Sequence, residues 1–302
     1  MKTIAYLLAL VILLGGGAYL LTRTAPEGPE QVASTGAVTA TTSQATGTPA
    51  VTERDAKTTT IGESVEKRPI TAHHYGDGDT NLLFVGGIHG GYSWNTALAA
   101  YELMDYLEKN PDVVPSNVRV TVIPVLNPDG LNKVVTTSGR FAKADVSASE
   151  SARTTGRFNA RGVDLNRNFD CAWQANGVWQ NKPVNGGTKA FSEPESAAIK
   201  VYIETLKPSA VVVWYSAAGG VFASKCQEGI LPATRSIMDV YAKASGYKAY
   251  EEFDFYEVTG DMTNWLAKEK IPAISVLLTS HEDVEWDKNQ KGVEALLKHY
   301  GK

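Results

Sequence analysis

The stretch Leu82-Leu83-Phe84-Val85-Gly86-Gly87-Ile88-His89-Gly90-Gly91-Tyr92-Ser93-Trp94-Asn95-Thr96 decides the fold of this chain. An apolar run of strand length breaks at glycines and presents a histidine. It then passes into residues 94–110, whose Leu98, Tyr101, Leu103, Met104 and Leu107 recur at helical spacing. The order is therefore strand, tight loop, helix. In open α/β sheets ligands sit beyond the carboxyl ends of strands, so His89 stands where chemistry is usually housed. A lone histidine there also reads as the cap of a turn, and the remainder of the chain must decide.

Outward from that stretch, strands and helices alternate. Residues 73–79 read as a turn-rich, hairpin-like segment. Residues 118–127 form a β-branched strand closed by the turn Pro128-Asp129-Gly130, and residues 132–161 read as loop. Ser192-Glu193-Pro194-Glu195 has the form of a capping box with proline in the first turn, opening a helix that runs to about Leu206. Residues 210–216 and 272–279 are buried-type strands, and residues 232–244, 261–270 and 288–300 are helical. Near-continuous apolar strands between helices predict an α/β fold with a largely parallel sheet covered on both faces.

The N-terminal part differs. Residues 4–21 are almost wholly apolar, between Lys2 and Arg23, and are long enough to enter or span a bilayer. Gly15-Gly16-Gly17-Ala18 only partly matches a cleavage site, so residues 1–23 read as an uncleaved membrane anchor, with a cleaved signal and a secreted product as the alternative. Residues 24–60 are rich in Thr, Ala, Ser, Gly and Pro, lack periodicity, and read as a disordered linker. Residues 61–302 are the folded domain, expected on the extracytoplasmic side. On that side of a membrane Cys171 and Cys226, the two cysteines of the chain, read most simply as a disulfide, with free buried thiols as the alternative. The net charge of −4 over 302 residues gives no basic excess that would point to nucleic acid.

Four ordered motifs carry a family resemblance: Gly86-Gly87-Ile88-His89-Gly90, Asn127-Pro128-Asp129-Gly130, the segment from Arg157 through Asn166-Arg167 to Phe169, and Phe191-Ser192-Glu193-Pro194-Glu195. Together they resemble the zinc carboxypeptidases of the carboxypeptidase A-like (funnelin) group. The resemblance implies an α/β/α sandwich around a mixed, mostly parallel eight-stranded sheet with the active site at the strand ends. It also implies a zinc ion held by a histidine, a glutamate three or four residues later and a second histidine, with a further glutamate as general base.

Carried over position by position, the resemblance divides. His89 matches the first zinc ligand and is the sole metal-ligand position retained. The following glutamate is absent, since Tyr92 and Ser93 stand at the two possible positions. The second histidine falls at Tyr215 and the catalytic glutamate at Leu277. On the substrate side, Asn166 and Arg167 match the pair that grips a terminal carboxylate, Arg157 the arginine that polarises the scissile carbonyl, and Tyr256 the tyrosine that closes over bound peptide. Thr263 falls where the family sets side-chain preference, and a small polar residue there implies no strong selection for a basic or aromatic terminus.

A serine hydroxyl and a phenol of reference pKa ~10 are poor replacements for a carboxylate and an imidazole. Zinc is therefore expected to be weakly held or absent. His281-Glu282-Asp283 offers replacement donors, but such a charged run reads as solvated surface. The sequence thus favours an inactive pseudo-carboxypeptidase that binds peptide or peptidoglycan-stem C-termini. The alternatives are an active zinc carboxypeptidase with a non-standard metal site, and a structural scaffold whose cleft is filled by Tyr215 and Leu277.

Overall fold

The computed structural model describes residues 57–302 apart from residue 138. The expected anchor and all but the last residues of the expected linker lie outside the described residues. Among those described, no helix is long and apolar enough to cross a membrane.

The first strands are β1 (Thr58–Glu63), β2 (Pro69–Tyr75), β3 (Thr80–Val85) and β4 (Val118–Ile123). They are followed by the ribbon strands β5 (Asn176–Trp179) and β6 (Lys182–Asn185), and then by β7 (Ala210–Ser216), β8 (Gly220–Ala223), β9 (Lys248–Tyr250) and β10 (Ala273–Leu278). The helices are α1 (Trp94–Lys109), α2 (Pro128–Asn132), α3 (Glu150–Thr155), α4 (Pro194–Leu206), α5 (Pro232–Ser245), α6 (Met262–Lys268) and α7 (Trp286–Tyr300).

Eight strands make one mixed sheet in the order β1-β2-β4-β3-β7-β10-β8-β9, and β5 and β6 pair separately. The central strands β4, β3, β7 and β10 run parallel, so their carboxyl ends share one edge of the sheet. Strands β1 and β2 at one side, and β8 against β10, are antiparallel.

Alternation along the central strands sorts the core into two layers. Phe84, Val122, Trp214 and Val276 pack with Leu103 of α1, Ile237 of α5 and Leu296 of α7 on one face. Val85, Ile123, Tyr215 and Leu277 pack with Ile199 of α4 and Leu266 of α6 on the other. This is the expected α/β/α sandwich.

Three local expectations are corrected. Residues 73–75 are not a hairpin turn but the end of β2, where His74 hydrogen-bonds Thr59 and Thr121 on the flanking strands. Residues 58–60, at the end of the expected linker, are strand, because the β-branched Thr58-Thr59-Thr60 pairs with residues 71–73. The capping box does not form. Helix α4 has Glu193 at its N-cap without a side-chain cap, and the Ser192 hydroxyl instead donates to the Glu193 carboxylate.

Candidate functional site

Backbone contact shapes the loop after β3. No side chain fits at Gly86, where a Cβ would lie 2.6 Å from the Thr96 carbonyl oxygen and 2.8 Å from that of Pro124. The Gly87 N–H donates to Thr96 Oγ1 at 3.0 Å, and the turn closes with Tyr92 N–H donating to the His89 carbonyl at 2.8 Å. The result points His89 into a cleft of about 680 Å³ at the carboxyl ends of the parallel strands.

His89 is 4% exposed. Its Nε2 lies 3.3 Å from Asp164 Oδ1, but the geometry is not that of a hydrogen bond, and neither ring nitrogen has a hydrogen-bond partner. Burial, reinforced by the nearby Arg157 charge and opposed by Asp164, pushes the imidazole down to about 4. The ring is therefore neutral at pH 7. Four residues on, Ser93 is the N-cap of α1; its buried hydroxyl makes no capping bond and has no partner.

Asp164 and the two arginines come from one segment built around the 3₁₀ turn Leu165–Arg167. Arg157 donates from Nε and Nη2 to Asp164 Oδ2. Burial opposes the charge on Asp164, but Arg157, with His89 and Arg167 adding, outweighs it and holds the carboxyl well below the usual carboxylate range.

Arg167 is anchored by backbone. Its Nε and Nη2 donate to the Val178 carbonyl at 3.2 and 2.8 Å, and its Nη1 to the Asn166 carbonyl at 2.7 Å. A guanidinium carries five N–H groups, so two have no hydrogen-bond acceptor among the described residues. The ribbon strand β5 covers both arginines: Val178 holds Arg167, and the Trp179 ring lies 4.3 Å from Arg157 Cζ. Trp179 was not singled out in the sequence, where four residues before a polar Gln180-Asn181 turn give a faint strand signal.

Tyr215 and Leu277 are direct partners in the parallel β7–β10 register. Both line the cleft without filling it, which corrects the expectation of a filled cleft. Leu277 packs into the core layer, and the Tyr215 hydroxyl turns aside to donate to Asn166 Oδ1 at 3.0 Å. Burial raises the Tyr215 phenol well above its ordinary value, with Asp261 adding to the effect, so it stays protonated.

Tyr256 sits at the cleft with its ring centroid 6.0 Å from Arg167 Cζ. Thr263 donates to Asp261 Oδ1 at 2.7 Å and lies 3.0 Å from the Ser275 hydroxyl. The two cysteines form the disulfide Cys171–Cys226. It ties the end of the arginine segment to the chain beyond β8, and the Cys171 carbonyl accepts from Gly260 N–H at 2.8 Å.

His281 is not on solvated surface. It is half-buried against the Tyr92 ring at 4.4 Å, and its Nδ1 lies 3.0 Å from the Ser216 hydroxyl. Glu282 turns away to pair with Arg153 and Lys143. Among the described residues no group of three or more His, Cys, Asp or Glu side chains could hold a metal ion.

Comparison with known proteins agrees with this architecture. The zinc carboxypeptidase family model matches residues 51–283. A carboxypeptidase B from Helicoverpa zea is 31% identical over 151 residues, which is 46% of this chain and 33% of that protein. This chain thus spans about a third of the length of that relative. Two solved structures share the fold. The murein-tripeptide amidase MpaA from Escherichia coli O157 has a TM-score of 0.56 at 20% identity, covering 83% of this chain and 96% of its own. Bovine thrombin-activatable fibrinolysis inhibitor, solved with tick carboxypeptidase inhibitor, has a TM-score of 0.60 at 18% identity, covering 80% and 86%.

Proposed function

Since the chain belongs to the zinc carboxypeptidase family, we propose that it is a pseudo-carboxypeptidase, a domain that holds the free C-terminus of a peptide or of a peptidoglycan stem peptide and does not cut it. One observation carries the reading. The groups suited to gripping a carboxylate converge in the cleft, while the positions that should hold metal and base carry Ser93, Tyr215 and Leu277.

The family's zinc does not fit this donor set. A catalytic zinc takes three protein ligands. Here the donors at those positions are one neutral imidazole, the Ser93 hydroxyl and a phenol that is both protonated and already bonded to Asn166. Leu277 offers no donor and no base.

What the residues can do is bind. Arg167, fixed by two carbonyls, has two N–H groups for a carboxylate, in the fork geometry that suits it. Arg157, held over Trp179 by Asp164, faces the same cleft and can donate to a peptide carbonyl. Tyr256 and the 60% exposed Phe255 offer apolar contact at its margin. Thr263 and Ser275 make one wall small and polar, which suits a terminal residue without a large apolar or basic side chain. The shared fold with a murein-tripeptide amidase is the reason to include peptidoglycan stems. We extend the proposal to location: residues 4–21 anchor the chain in the cell membrane, and the domain faces the extracytoplasmic side.

Calorimetric titration of the purified full chain with a short peptide, as free acid and as C-terminal amide, tests the reading. The acid should bind in preference to the amide and be recovered uncut. Arg167→Ala should weaken acid binding about 10- to 100-fold, the loss expected for a charge-assisted hydrogen-bond pair. Equal binding of acid and amide, or a shortened peptide, would contradict it.

A further inference from the structure

We infer that Tyr215, at the position where a metal-ligating histidine is expected, acts as a positioning residue that fixes the side-chain amide of Asn166 for a ligand carboxylate. The inference rests on the carboxylate-binding reading above and assigns the former metal position a part in it.

A side-chain amide has two ends of similar shape and opposite hydrogen-bonding character, so its orientation depends on its neighbours. Around Asn166 the neighbours admit one orientation. The Tyr215 hydroxyl donates to Oδ1 at 3.0 Å, and the Met262 backbone N–H donates to the same oxygen at 3.2 Å. On the opposite side Nδ2 donates to Asp261 Oδ2 at 2.8 Å.

Reversal would place the amide oxygen against the Asp261 carboxylate and the NH₂ group against the Met262 N–H, and would leave the Tyr215 O–H without its acceptor. Asp261 cannot turn to relieve this, because its Oδ1 accepts from Thr263 Oγ1 at 2.7 Å and from the Asn264 backbone N–H at 2.8 Å, capping α6. Tyr215 is 5% exposed, and its phenol stays protonated, so its hydroxyl remains a donor throughout the neutral range.

The lock has a consequence for the ligand. One Nδ2 proton is spent on Asp261 and the other has no protein acceptor among the described residues; Asn166 and Arg167 both line the cleft, and Arg167 Nη1 is held by the backbone carbonyl of Asn166. A free C-terminus therefore meets an amide N–H and a guanidinium edge fixed relative to each other. Asn166 and Tyr215 are 49 residues apart in the chain, and each is held by the other's strand end or turn.

The test is the ratio of affinities for one short peptide as free acid and as C-terminal amide, measured by calorimetry with the full chain. Tyr215→Phe, which removes only the hydroxyl, should weaken acid binding about threefold to tenfold, the range of one net hydrogen bond, and leave amide binding as it was. A general loosening of the domain would weaken both peptides and leave the ratio unchanged. Tyr215→Met, which also lacks a donor, supplies the same readout if the phenylalanine variant does not fold.

In a double-mutant cycle, Tyr215→Phe should change the ratio no further once Asn166→Ala is present, and additive losses would overturn the inference. The two levels fail separately. A wild-type chain with no acid preference overturns the carboxylate reading and this inference with it. A wild-type preference that Tyr215→Phe leaves intact overturns this inference alone.

Discussion

Arg157 grips Asp164 through a single oxygen: Nε at 3.0 Å and Nη2 at 2.8 Å both donate to Oδ2. The other oxygen, Oδ1, accepts from the Asn166 backbone N–H at 3.0 Å and faces His89. One buried carboxylate thus fixes Arg157 and the turn that presents Asn166 and Arg167. Removing one partner of a buried pair leaves the other charge uncompensated. Asp164→Asn should therefore destabilise the domain by about 3–5 kcal/mol, read as a lower urea midpoint. A loss below about 1 kcal/mol, the level of an exposed pair, would contradict this account of the site.

Acid should weaken the fold in a defined window. Burial depresses His89 and His74 to about 4, from the ordinary 6.5. The folded state favours the neutral rings, so this stabilisation is whole above pH 6.5 and is lost as pH falls towards 4. For the buried His89 it amounts to about 3 kcal/mol. Asp164, held low, adds a loss only below the ordinary carboxylate range, and Glu195, raised mainly by burial, works in the opposite sense. Urea midpoints should fall from pH 7 to pH 4, and His89→Gln should flatten the slope. A variant slope equal to that of the wild type would show that His89 does not titrate as described.

The disulfide should matter for both stability and site. Cys171–Cys226 closes a loop with a sequence separation of 55 residues. Chain entropy puts its contribution at about 4 kcal/mol. It also lies next to Gly260, where any side chain would run into the Arg167 carbonyl. Reduction, or the Cys171→Ala/Cys226→Ala pair, should lower the melting temperature and weaken carboxylate binding together. A melting temperature unaffected by reductant would contradict this.

Much of the fold was legible because the central strands and their helices carry long apolar patterns. Leu82 to Val85, Ala210 to Tyr215 and Ala273 to Leu278 are buried on both faces and read as continuous runs. The margins were not legible. β5, β6 and β8 are four residues each, too short to show a pattern, although Val221 and Phe222 of β8 are core residues. Motif positions identified the members of the site, but their hydrogen bonds depend on distant chain. Tyr215 to Asn166 spans 49 residues and Asn166 to Asp261 spans 95, separations at which local pattern carries no information. The charged neighbours of His281 give it the pattern of surface, whereas its own ring packs against Tyr92, far away in sequence.

Restoring donors should restore metal. Ser93→Glu with Tyr215→His would complete, with His89, a three-ligand set of the kind a catalytic zinc takes. Ser93 is the N-cap of α1, where a carboxylate is favoured by the helix dipole. The double variant should retain about one zinc per chain, and peptide hydrolysis should require Leu277→Glu in addition. A double variant that binds no zinc would show that the strand ends have moved away from a metal-binding arrangement.

The zinc content of the wild-type chain tests the central claim most directly. Elemental analysis after dialysis against sub-micromolar zinc should find far less than one zinc per chain, because the cleft offers a single imidazole where a catalytic zinc takes three protein ligands. A stoichiometry near one would contradict the account, and would require a ligand set around His89 or His281 that restores the site as a peptidase.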